Sequence, residues 1–253
     1  MLQIATDRNV CVTYHTFIMK KTIVLFVGLI FASISVSTVE AQSKRNYVLE
    51  TRDISNFDEL NIDGGFTVHL MSSEEPFLEI EAHKNDVDYI KVSVKNGRLY
   101  ISQKNKVKKI KPITLHIGFQ ELDKINLQGG INLSSDVPLK SETLDLEVAG
   151  GINIDLEINT SYLNIEAEGG VNLAICGIAE KADVELIGAG NLNAFCLATN
   201  EMDLKIEGAG KANVNVVDNL EISAEGVATV RYKGNPDVKK DVQGIVSVRR
   251  VED

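Results

Sequence analysis

The sequence predicts an all-β protein coiled as a β-solenoid, and three observations carry that reading. Apolar and polar residues alternate without a break through glycine corners: Leu144, Leu146, Val148, Gly150, Ile152, Ile154 and Leu156 share one parity. A strict period of two means strands with one buried face. A motif of the form apolar-x-apolar-x-Gly-x-x-Asn/Thr/Lys-apolar recurs seven times, with its later glycines at 129, 150, 169, 188, 208 and 226. Hydrophobic content of 44% with 4 prolines in 253 residues suits one large core and argues against disorder.

The repeat decides between β architectures. One short rung cannot bury its inner face alone, whereas stacked rungs share a continuous core. An antiparallel β-sandwich is the alternative; it accounts for the alternation but not for the period. Glycine at the same parity in every copy reads as an inward-facing residue at a bend, where a Cβ would crowd the core.

Taken in order, the chain opens on an address. Lys20 and Lys21 precede the apolar run from Ile23 to Ala32, and Val39-Glu40-Ala41 forms a small-x-small cleavage signal. These are the parts of a secretory signal peptide over 19–41, with Met19 as its start and 1–18 as an upstream extension. The run is too short for a permanent span, which needs roughly 20 apolar residues. One domain is expected over 47–253. Its first glycine copy is Leu60-Asn61-Ile62-Asp63-Gly64. A strand at Leu78–Ala82, a hairpin turning at Asn96-Gly97 and a strand at Ile113–Ile117 follow, about three rungs' worth of irregular sequence before Gly129. The regular copies begin with Ile125-Asn126-Leu127-Gln128-Gly129-Gly130-Ile131-Asn132-Leu133.

The tripeptides Gly130-Ile131-Asn132 and Gly151-Ile152-Asn153 drift to Gly170-Val171-Asn172 and Ala189-Gly190-Asn191. With the lead-in Phe57-x-x-Leu60-x-Ile62-x-Gly64 and the Asn96-Gly97 hairpin, they make residues 53–248 resemble the exported bacterial family of the putative auto-transporter adhesin, head GIN domain. The resemblance implies a right-handed parallel β-helix of the kind found in exported proteins of Bacteroidetes type. It brings no catalytic residues with it.

Stacking in register would turn outward residues into columns. One column past the corner reads Asn132, Asn153, Asn172 and Asn191, flanked by Gly130, Gly151 and Gly170. Such amides can bond along a solenoid as a ladder or face a glycan or protein at the cell envelope. Three residues before the corner stand Glu147, Glu166 and Glu185. They read as a solvated face or as a ribbon for Ca2+, a hard cation that takes six or more oxygens. Cys176 and Cys196 sit one repeat length from each other and could pair as a disulfide in an exported chain. Lysines at 104, 106, 108, 109 and 111 form a basic cluster that would keep an edge strand from pairing.

Function classes narrow accordingly. A formal charge of −10 argues against nucleic acid. No tryptophan and 6% aromatics argue against a sugar-stacking platform. His69, His83 and His116 have no serine, cysteine or carboxylate near them in the sequence in a catalytic arrangement. The expectation is a non-enzymatic, exported binding module without a cofactor. A carbohydrate-active enzyme on a β-helix and a periplasmic scaffold are the alternatives.

Overall fold

The computed structural model describes residues 46–104 and 111–252. The expected signal peptide over 19–41, the upstream extension and the central lysines of the basic cluster lie outside the described residues. Within them the chain is all-β, apart from one 3-10 turn over Val87–Tyr89. The strands are β1 (Tyr47–Arg52), β2 (Glu59–Ser72), β3 (Phe77–His83), β4 (Ile90–Lys95), β5 (Arg98–Gln103), β6 (Thr114–Phe119), β7 (Lys124–Ser135), β8 (Leu139–Lys233) and β9 (Asp237–Arg250). They form one mixed sheet in the order β1-β3-β6-β2-β7-β8-β9, with the β4–β5 hairpin attached to β2 through β5.

The glycine copies pair in parallel and in register. Gly64 of β2 lies opposite Gly129 of β7, Gly129 opposite Gly150 of β8, and Gly226 of β8 opposite Gly244 of β9. This parallel pairing overturns the antiparallel sandwich as the arrangement of the repeats. Antiparallel pairing is confined to β1–β3, β3–β6 and β4–β5. A strand of 95 residues, as β8 is, would reach roughly 300 Å if straight. It instead returns on itself: Gly169 packs on Gly150, Gly188 on Gly169, Gly208 on Gly188 and Gly226 on Gly208.

The core follows the alternation. Leu144, Leu146, Val148, Ile152, Ile154 and Leu156 are all buried, and each such aliphatic side chain contributes roughly 1.5–3 kcal/mol by leaving water. The glycine itself corrects the sequence reading. Gly129 and Gly150 are exposed, so they do not face the core. Their φ values of +114° and +129° are what require glycine, and an added Cβ would run into the carbonyl oxygen of the preceding corner glycine. The neighbour that excludes a side chain is backbone of the adjacent rung.

Two further differences concern the ends. The segment between Gly64 and Gly129 makes no rungs between β2 and β7, which pair directly. It wraps beyond β2 instead, where β5 and β6 pair in parallel with its two halves. At the other end β9 adds an eighth glycine copy centred on Gly244. Its inward positions carry Lys240 opposite Ile222 and Arg250 opposite Tyr232. Both charged residues are exposed, so this last strand does not continue the apolar inner row at those two positions.

Candidate functional site

Parallel register turns the four asparagines into a continuous exposed row. Asn132 lies opposite Asn153 in the β7–β8 pairing. Asn153 Nδ2 donates to Asn132 Oδ1 at 2.8 Å, Asn172 Nδ2 to Asn153 Oδ1 at 2.9 Å, and Asn191 Nδ2 to Asn172 Oδ1 at 2.9 Å. The row continues as Thr67 on one side, opposite Asn132. A primary amide has two N–H donors and two acceptor lone pairs. Each interior member of the ladder spends one of each on its neighbours and keeps one of each for solvent or a ligand.

Beside the ladder runs a strip without side chains. Gly130 and Gly151 have no atom within 4 Å of where a Cβ would stand, and neither has a positive φ. Packing therefore does not require these second glycines, in contrast to Gly129 and Gly150. On the other side a shallow depression is lined by Asn153, Asn172, Asn191, Asn193, Lys211 and Asn213. The amide row itself is uncharged until Lys211, with Asp155 exposed in the column beside it, and its hydrogen-bonding groups repeat at the strand spacing of about 4.8 Å.

The acidic column is brought together as expected but is neutralised at its ends. Lys124 Nζ bonds to Glu147, and Asn126 Nδ2 donates to Glu147 Oε2 at 2.8 Å. Lys205 Nζ lies 2.7 Å from Glu185 and 2.8 Å from Glu207. Among the described residues Glu166 has no ion pair, and no three His, Cys, Asp or Glu side chains converge on a point where a metal ion would sit. Nearby, Tyr162 donates its phenol to Asp183, which pushes its pKa up to about 12.

The Lys124 hydrogen bond, aided by Asn126, holds the Glu147 carboxyl below the usual range. A lowered folded pKa adds stability above the unfolded carboxylate range and loses it as pH falls through the folded value. Both side chains are about one-third exposed, so the effect is at most about 1 kcal/mol. Wild type minus Lys124→Met is therefore expected to shrink in urea unfolding as pH drops from about 6 to about 3. A difference independent of pH would contradict the pairing.

The cysteines of adjacent turns are joined: Cys176 and Cys196 form a disulfide with Cα atoms 4.6 Å apart. The histidines depart from the sequence reading. His69 Nδ1 lies 2.9 Å from Ser134 Oγ, a residue of a strand far along the chain, and the His69 and His116 rings stack with centroids 5.4 Å apart. Glu79 stands directly opposite His116 across the β3–β6 pairing. Only non-local strand order makes these neighbours, so no spacing in the sequence could have announced them.

Comparison with known proteins adds family and fold. The family described as "putative auto-transporter adhesin, head GIN domain" matches residues 56–236. A putative adhesin from Bacteroides fragilis NCTC 9343 is 22% identical, with 82% of this chain and 98% of that one covered at a TM-score of 0.76. A putative adhesin from Parabacteroides merdae ATCC 43184 is 24% identical, with coverage of 83% and 98% and a TM-score of 0.61. A putative lipid binding protein from Parabacteroides distasonis ATCC 8503 is 21% identical, with coverage of 83% and 98% and a TM-score of 0.65. At these identities the likeness is one of fold. Comparison with the curated proteins finds no match.

Proposed function

This chain belongs to the putative auto-transporter adhesin, head GIN domain family, and on that premise we propose that it is an exported, non-enzymatic adhesin-like module. Its body, residues 47–253, is a parallel β-solenoid released from a signal peptide over 19–41. The glycine-on-glycine contacts that recur from corner to corner support the coil.

The amide row carries the functional reading. Asn132, Asn153, Asn172 and Asn191 form an exposed ladder whose interior members each keep one donor and one acceptor unused, beside the bare strip at Gly130 and Gly151. Neutral groups that both donate and accept complement hydroxyls, so the partner is an uncharged glycan at the cell envelope or beyond it. A charged partner would meet no opposite charge on the four amides themselves. The flat strip lets a sugar ring approach the backbone. The acids support a non-catalytic reading: Glu147, Glu166, Glu168 and Glu185 line one shallow depression, but Glu147 and Glu185 are tied to Lys124 and Lys205, and among the described residues no three acids converge on a point.

Protease treatment of intact cells, followed by immunoblot of the chain beside a periplasmic control protein, tests the placement. Loss of the chain while the control survives is the expected result. Protection of the chain until the cells are lysed would overturn surface presentation.

A further inference from the structure

Independently of the amide face, we propose that the outward surface near the N-terminal end holds a copper-binding site formed by His69 and His116, with the Met71 thioether as third donor. His69 and Met71 are alternate residues of β2 and so share a face. His116 lies opposite His69, and Gly118 opposite Met71, in the parallel β2–β6 pairing. Glu79 lies across from His116 on β3. Met71, His116 and Glu79 line one shallow depression. Phe77 lies where a side chain on Gly118 would stand, which gives the site an apolar wall.

The hydrogen bonding leaves the ligand atoms open. His69 Nδ1 is engaged by Ser134 Oγ, and among the described residues neither His69 Nε2 nor either nitrogen of His116 has a hydrogen-bond partner. Both histidines are half-buried rather than fully solvated. In the tautomer that donates Nδ1–H to Ser134 Oγ, the His69 lone pair sits on Nε2. A hydroxyl or carbonyl on the far nitrogen is how metal-binding histidines are usually fixed in tautomer and orientation.

The donor set selects the metal. Imidazole serves zinc, copper and nickel, but a thioether favours copper, and Cu2+ heads the affinity order among divalent first-row ions. The rings stack at an interplanar angle of 20°, so loading requires one imidazole to turn about its Cα–Cβ or Cβ–Cγ bond. Glu79 supplies a negative charge beside the cation.

Titration of the purified chain with CuSO4, read by calorimetry and by electron paramagnetic resonance, tests the site. One tight Cu2+ per chain with nitrogen ligation is expected. His69→Gln and His116→Gln should each weaken it by about 10-fold or more, and Ser134→Ala by about 10-fold without changing the melting temperature. Met71→Leu should weaken copper while leaving the weaker Zn2+ binding unchanged. A tight copper site that survives in the His69→Gln/His116→Gln double variant, or that is lost with His83→Gln alone, would overturn the proposal, as would no tight copper at all. Circular dichroism of each variant separates loss of ligand from loss of fold.

Discussion

Gly150→Ala is expected to destabilise the domain by about 3 kcal/mol or more, whereas Gly151→Ala should stabilise it by about 0.5 kcal/mol. The two residues are neighbours in one Gly-Gly pair, yet their surroundings differ. At φ +129° Gly150 occupies backbone space that an L side chain rarely enters, and its Cβ would overlap the Gly129 carbonyl. The conformational penalty is roughly 1–2 kcal/mol, and forcing rungs apart costs roughly 1–3 kcal/mol more. Gly151 has ordinary φ and open space around it, so alanine there mainly restricts the unfolded chain. Urea unfolding of the two variants measures both. Equal effects would contradict the contact between corner glycines that makes these turns stack.

Replacing both cysteines, Cys176→Ser with Cys196→Ser, is expected to cost about 2–3 kcal/mol through loss of a loop closure in the unfolded chain. For a domain of this size that is a fall in melting temperature of roughly 5–10 °C. Cys196 is exposed, so dithiothreitol alone should produce the same fall in wild type and none in the double variant. A melting temperature indifferent to reductant would contradict the bridge.

The rungs and the amide row are legible in the sequence because both depend on local rules. Parity identifies every inward residue around Ile152, and the period of about twenty puts Asn132, Asn153, Asn172 and Asn191 in one column. It also places Cys176 one turn from Cys196. The corner glycine misleads for a physical reason: parity counts residues and cannot register a backbone that turns over at positive φ, which carries Gly150 from the inner face to the surface. The eighth copy at Gly244 follows Gly226 at the same spacing by which Gly226 follows Gly208, so its position is visible in the sequence. Lys240 and Arg250, in register with Ile222 and Tyr232 where the other copies are apolar, conceal it. The N-terminal cap is the least legible part. That β2 pairs with β7 on one edge and with β5 and β6 on the other is a non-local arrangement, and the meeting of His69 with His116 and Ser134 follows from both pairings together.

On the proposed function, the amide row is the face that binds. Binding of the purified domain to an array of immobilised neutral glycans, compared between wild type, Asn153→Ala/Asn172→Ala and Glu166→Gln, tests it most directly. Wild type and Glu166→Gln are expected to bind, and the asparagine variant to lose about 10-fold or more, the worth of one or two hydrogen bonds. Undiminished binding by the asparagine variant, or no binding to any neutral glycan by wild type, would contradict it.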